Sequence, residues 1–237
     1  MTWREQLEAD GFAFLRGVFD ASAVAAALAE WAEVTRANAD DGALLAGESG
    51  PAYGARNLLD LWPRAVELVR AEPLRGALLE VLGASAGVVR ALYFDKPPGH
   101  SWALPWHKDY SVAVQTHRES PLFTKPTTKA GVPHVIAPQA VLDRMLTVRV
   151  HLDDMTAANG PLRVIPGSHR FYDQRNDEPR DAVTLNCLAG DVLLMRPLVT
   201  HASGHSTAGA HRRIVHLECA ADAALPDGFA WKWFAQL

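Results

Sequence analysis

Cysteine is nearly absent from this 237-residue chain, with Cys187 and Cys219 as its only two. A disulfide framework or a thiolate zinc site needs more, so both read as reduced packing residues. Long apolar runs are missing as well: no stretch reaches the length of a membrane span. The opening MTWREQLEADGF carries Arg4, Glu5, Glu8 and Asp10 where a secretory leader needs an apolar segment. The expectation is a cytoplasmic protein with no membrane partner. Excess positive charge is lacking too. With 23 Lys and Arg against 27 Asp and Glu, a net charge of −4 gives no basic surface of the kind that binds nucleic acid. Repeats and low-complexity tracts do not occur. What is present, 49% hydrophobic and 21% charged residues, is an ordinary globular mixture for a single domain over 1–237 with a small-molecule partner.

Residues 1–86 read mainly helical. ASAVAAALAEWAEVTRAN (21–38) places apolar residues at helical spacing behind a capping Asp20, and 61–83 holds two short helices broken near Pro73 and ended by Gly83. From 87 the texture changes to short β-rich runs separated by Gly, Pro, Asn and Asp: VVRALYF, LPWHKDYSVAV, MLTVRVHL, PLRVIP, AVTL, DVLLMRP and RRIVHLECA. Strands following a helical segment predict an α+β, mainly β protein. Its jelly-roll core spans 87–220, behind a helical flank and ahead of a C-terminal tail over 221–237. The connection 115–140 holds four prolines and little periodicity, so it reads as a lid or substrate loop. Within it Gln115, Lys125, Lys129 and His134 read as solvated groups with a possible polar contact to substrate. The pocket is expected to draw on this loop, the helical flank and the tail FAWKWF.

One stretch carries a chemical question. In LPWHKDYSVAV, strand alternation puts His107 and Asp109 on one face and Lys108 on the other, which leaves two polar groups facing inward. His201, just past the run GDVLLMRP, approaches the pair if the two strands are neighbours. Two imidazoles and a carboxylate are the donor set that holds non-haem Fe(II) with open coordination positions. The cation would compensate the buried pair. An oxygen-activating iron of this kind commonly takes its electrons from a chelating keto dicarboxylate, whose far carboxylate suits an arginine. Arg212, eleven residues after His201, is placed for that task, and Arg213 faces the other way.

WHKDY, HLDDMTAANGPLRVIPGSHR, GDVLLMRPLVTHAS and HRRIVHLECA, in that order, resemble the phytanoyl-CoA dioxygenase family of Fe(II)/2-oxoglutarate oxygenases over roughly 88–220. The resemblance implies a double-stranded β-helix, or cupin-like jelly roll. It implies iron ligands at His107, Asp109 and His201, and cosubstrate contacts from Arg212 and Ser203. By analogy the Thr147, Arg149 and His151 face of MLTVRVHL looks into the barrel, with Thr147 a third cosubstrate contact and Arg90 a candidate for cosubstrate or substrate. His169 and the Asn159-Gly160 and Pro166-Gly167 turns read as turn-forming, and His205, His211 and His216 are not taken as ligands. The implied activity is hydroxylation of an aliphatic C–H of a small molecule, consuming O2 and 2-oxoglutarate and releasing succinate and CO2. A carboxylate at Asp109 implies hydroxylation rather than halogenation. Two alternatives remain at this point: a cupin-like metalloenzyme using zinc or manganese without cosubstrate, and a jelly roll that binds 2-oxoglutarate without turnover.

Overall fold

A computed structural model describes residues 1–46, 52–173 and 181–237. The flank comprises α1 (Trp3–Asp10), β1 (Phe12–Leu15), α2 (Ala21–Ala37), β2 (Leu44–Ala46), β3 (Ala52–Ala55), α3 (Leu58–Leu61), a 3-10 turn (Pro63–Val66), α4 (Glu67–Arg70) and α5 (Leu74–Leu82). There follow β4 (Gly87–Asp95), β5 (Leu104–His107), β6 (Ser111–Ala113), β7 (Thr124–Lys129), β8 (Val132–Ile136), α6 (Gln139–Leu142), β9 (Met145–His151) and β10 (Leu162–Val164). After a 3-10 turn at Ser168–Arg170 come β11 (Val183–Thr184), β12 (Val192–Met195), β13 (His201–Ser203), β14 (Arg213–Ala220) and β15 (Ala235–Gln236). No helix among the described residues is long and apolar enough to cross a membrane.

Local chemistry sets the flank. α1 starts with a capping box, in which Thr2 Oγ1 accepts from Glu5 N and Glu5 answers on Thr2 N, and Asp20 caps α2 by accepting from Ala23 N. The flank is not purely helical, however. β1 joins the edge of the large sheet against β12, and β2 and β3 extend its other end beside β4.

The large sheet runs β1-β12-β9-β14-β4-β3-β2, with β15 also on β4, and a smaller sheet runs β11-β10-β13-β5. All these pairings are antiparallel, the jelly roll expected of the sequence. Alternation divides the large sheet into two faces. Leu146, Val148, Val150, Val215 and Leu217 pack outward on Leu7, Trp31, Trp62, Leu74 and Leu78 of the flank. Each fully buried Leu or Val there contributes about 1.5–3 kcal/mol.

The inner face begins apolar, with Phe12, Leu193 and Met195 against Leu162, Val164, Leu185 and Val199. It then turns polar in rows across β9, β14 and β4. Thr147, Glu218 and Arg90 form one row; Arg149, His216 and Leu92 form the next; His151, Ile214 and Phe94 form the third. Polar rows inside a barrel mark where packing gives way to a site.

Three expectations are corrected here. LPWHKDYSVAV is two strands in different sheets, β5 and β6, and Asp109 lies in the break between them. Its N–H donates to Pro197 O at 2.9 Å instead of joining a ladder. The 115–140 connection is no irregular loop: β7 and β8 form a hairpin that pairs with β6. Two residues of positive φ, Ala130 (46°) and Gly131 (77°), make its tight turn. Finally, Phe229 and Trp231 of the tail are buried with Val112, Phe123 and Leu142, and Trp231 lines a cavity with Ala220 and Leu225 that none of the three donors borders.

Candidate metal and cosubstrate site

β5 and β13 are adjacent antiparallel strands, and their register sets His107 directly opposite His201. The ring centroids are 4.2 Å apart. Asp109, just beyond β5, reaches back between them, with Oδ1 3.9 Å from His107 Nε2 and Oδ2 3.7 Å from His201 Nε2. One donor atom from each residue falls within 4.8 Å of the others. The chain thus converges these groups even though they do not share one strand.

Tautomers are set by the backbone. His107 Nδ1 lies 2.7 Å from Pro105 O and His201 Nδ1 lies 2.9 Å from Val199 O. Each Nδ1–H therefore donates to the carbonyl two residues earlier, which leaves both Nε2 lone pairs aimed at the centre. Burial pushes His201 down to about 4, with Asp109 opposing, so it stays neutral as a ligand must. For Asp109, burial opposes the charge, yet His201, His216, His107 and Arg90 together hold the carboxyl below its usual range. His107 and Asp109 keep about a third of their side-chain surface (34% and 31%) while His201 keeps 5%, so the centre opens to one side. Two imidazoles and a carboxylate with one open face fit a divalent iron.

A second group of residues lies toward the start of β14. Arg212 is buried, and its Nε and Nη1 have no partner among the described residues. Arg213 points away and pairs with Asp153 through both carboxylate oxygens. Lys96, directly after β4, is fully buried and donates to Gly204 O at 2.5 Å and Ser203 Oγ at 3.2 Å. Burial, then Arg212 and Arg149, push Lys96 down to about 7. Burial and then Arg149 lower Arg212 to about 9. Arg149 Nε and His151 Nε2 are likewise buried without partners. Buried cations that weaken one another call for an anion, and an orphaned guanidinium is shaped to take a carboxylate. Gly160, with φ 69°, makes room for this: a Cβ there would sit 2.4 Å from Gly204 O and 3.0 Å from Lys96 Nζ. The Asn159-Gly160 turn of the resemblance motif thus lies against the buried lysine.

The site residues read from the sequence divide accordingly. His107, Asp109 and His201 converge, and Arg212 and Ser203 lie together with Lys96. Thr147 and Arg90 do not join them. Thr147 pairs with Glu218, six residues along β14 from Arg212 and thus about 20 Å away at strand rise. Arg90 lies in the same row and donates to Glu218 Oε1 at 2.8 Å. Both are corrected from the cosubstrate end to the opposite end of the barrel. His134, expected in solvent, is buried, and Lys129 is half-buried. His169 lies in the Ser168–Arg170 turn, apart from the three donors, and His211 pairs with Asp95 at 2.7 Å. Lys108, just past the end of β5, turns from the donors and donates to Ser168 O (2.8 Å) and Phe171 O. Lys96 and Arg149 were not singled out as site residues, since a lone cation carries no periodic or motif signal.

A jelly roll with three convergent nitrogen and oxygen donors beside a buried cationic recess is the class that fold and site define. This chain belongs to the phytanoyl-CoA dioxygenase (PhyH) family, which its sequence matches over residues 7–214. It is 31% identical to the ectoine dioxygenase of Bordetella parapertussis over 185 residues, covering 75% of this chain and 52% of that protein. It is 30% identical to the Bordetella bronchiseptica ectoine dioxygenase with the same coverage. The chain thus spans about half the length of the curated relatives it matches. Among solved structures, EctD from S. alaskensis with bound Fe superposes with a TM-score of 0.70 at 20% identity, over 93% of this chain and 76% of that one. HygX from Streptomyces hygroscopicus with nickel and 2-oxoglutarate bound gives 0.62 at 16% identity, over 93% and 87%. These likenesses show the shared fold.

Proposed function

We propose that the protein is an Fe(II)- and 2-oxoglutarate-dependent dioxygenase that hydroxylates an aliphatic C–H of a small molecule. One O2 and one 2-oxoglutarate would yield hydroxylated product, succinate and CO2. The observation that carries this reading is the pairing of a three-donor centre with an orphaned, buried Arg212. The centre alone would suit zinc or manganese. A buried guanidinium with open valences would be a liability unless an anion came to it.

His107, Asp109 and His201 would hold the iron. Bound there with its cosubstrate, iron would supply the oxygen-activating redox chemistry, which is the metal's own. The chain's part is positional. Pro105 O and Val199 O fix the two ring planes, and Arg212, Ser203 and Lys96 would hold the far carboxylate of 2-oxoglutarate. The inner-face rows would present the target C–H on the open side of the centre. Asp109 fills the position where a carboxylate favours hydroxylation.

Relatives named as ectoine dioxygenases support a small-molecule substrate. A cytoplasmic setting belongs to the same proposal, supported by two cysteines that are free and buried. The test is anaerobic titration of the apoprotein with Fe(II) and 2-oxoglutarate. The weak visible charge-transfer band of the chelate should appear, and should be lost in Arg212→Met at matched concentrations. An unchanged spectrum in the unmodified protein would overturn the reading.

A further inference from the structure

At the barrel end away from Arg212, the inner face carries a connected polar chain. Arg149 Nη1 donates to His216 Nδ1 at 3.2 Å, His216 Nε2 lies 3.6 Å from Glu218 Oε1, and Arg90 donates to that oxygen at 2.8 Å. The β7–β8 hairpin adjoins this end. Lys129 Nζ donates to Ser111 Oγ at 3.1 Å, two residues past Asp109, and the turn is tied to the flank by Asn57 Nδ2 on Ala130 O at 2.9 Å. The β3–β4 ladder sets Gly54 opposite Phe94 and Ala55 opposite Tyr93. Phe94 faces inward, so the next position, Arg56, shares the side of Leu92 and Arg90.

The charges at this end do not balance. Glu218 answers Arg90 and Asp109 offsets one further charge, which leaves one of the cations Arg56 and Lys129 in excess. Arg56 and Lys129 make no ion pair among the described residues. A divalent iron and a doubly charged cosubstrate cancel one another, so loading the centre leaves the excess in place. One buried atom at this end also stands open, His134 Nε2. The His134 Nδ1–H donates to Val132 O at 2.9 Å, so Nε2 is an acceptor.

We propose that this end is a substrate subsite for a small organic carboxylate, whose anionic group is received by Lys129 and Arg56 beside Asp109. His134 offers a further polar contact. A purely hydrocarbon substrate would dry the two cations without pairing them, which is unfavourable. Burial, then Arg90 and Arg56, already hold Lys129 below its usual range, as expected of a cation awaiting an anion.

The inference rests on the iron and 2-oxoglutarate reading only for its proximity to a reacting centre, and it is tested by binding alone. The protein loaded with Zn(II) and 2-oxoglutarate, which is redox-inert, is titrated by ligand-observed NMR with short straight-chain and cyclic carboxylates and their matching primary amides. Carboxylates should bind at least about tenfold tighter than their amides, the difference a charge-assisted contact provides. The double variant Lys129→Met, Arg56→Met should erase that preference, and Lys129→Arg should keep it. Equal affinity for acid and amide, no binding of any carboxylate, or a preference that survives the double variant would overturn the subsite. The iron chelate band, measured separately, decides the reading of the centre itself.

Discussion

His107 and His201 face each other across the β5–β13 ladder, each with its Nδ1 tied to the carbonyl two residues earlier. Both imidazoles are thereby fixed in the tautomer and plane a metal requires before any metal binds. Preorganisation of this kind predicts a centre whose affinity depends on its third donor and whose fold does not. In Asp109→Ala, Fe(II) affinity should fall by about two orders of magnitude or more, since even supporting residues of metal sites are worth 10- to 100-fold. The thermal midpoint of the metal-free protein should stay close to the parent, because this side chain is one-third exposed (31%). Isothermal titration with Fe(II) under anaerobic conditions and a melting curve decide it. Unchanged metal affinity would leave Asp109 without its assigned role.

Under the proposed function, Lys96 should make cosubstrate binding depend on pH. Its ammonium is pushed down to about 7 by burial first and then by Arg212 and Arg149. Without an anion, the folded protein releases this proton at neutral pH while the unfolded chain keeps it to the ordinary lysine range. Between those values the unfolded state binds more protons, so this group makes stability rise with pH from about 7 upward. A dianion in the recess favours the charged lysine and is bound with proton uptake. Affinity of the apoprotein for 2-oxoglutarate should therefore weaken as pH climbs above about 7, and Lys96→Met should bind more weakly while losing this lysine's part of the slope. Tryptophan fluorescence can report it, since Lys96 Nζ lies 5.7 Å from the Trp102 ring centroid. An identical pH slope in the variant would remove Lys96 from the recess.

Gly160 is where the fold meets the same recess. With φ 69°, a side chain is strained there, and a Cβ would meet Gly204 O at 2.4 Å, a backbone atom with little room to retreat. Gly160→Ala should destabilise the protein by about 2–3 kcal/mol, at the upper end for single substitutions. Displacing Gly204 also disturbs the Lys96 contact, so affinity for 2-oxoglutarate should drop as well. Chemical denaturation and cosubstrate titration on the folded fraction separate the two effects.

How legible this was in the sequence follows from which physical signal each part carries. Jelly-roll strands such as Met145–His151 and Arg213–Ala220 announce themselves by β-branched runs, and Arg212 by its distance from His201. The break at Asp109 was hidden, because the apolar residues of LPWHKDYSVAV continue through a change of sheet that only the Asp109–Pro197 hydrogen bond reveals. β7 was hidden for the opposite reason: TKPTTK is exposed for all but its last residue and has no apolar alternation to read. Lys96 acquires its burial from Gly160, Ser203 and Gly204, distant in sequence, and the inward rows of Glu218 and Arg90 exist only once the register of β14 on β4 is known. Thr147 was misassigned on the same ground, since a strand face says which side a residue takes but not how far along the barrel it lies.

The hairpin turn offers a test that involves no chemistry at all. Ala130 and Gly131 both hold positive φ between the paired Lys129 and Val132, the geometry of a tight two-residue connection. Glycine accepts that conformation freely, whereas alanine there is strained by roughly 1–2 kcal/mol. Asparagine is the residue commonly found at this first position because it tolerates the left-handed region. Ala130 is exposed, and its carbonyl, which receives Asn57 Nδ2, is unaffected by the side chain. Ala130→Asn should therefore stabilise the protein by a few tenths to about 1 kcal/mol, visible as a raised denaturation midpoint with an unchanged slope. A lower midpoint would mean that the turn does not have this shape. The hairpin would then be held in some other way over the end of the barrel where Lys129 lies.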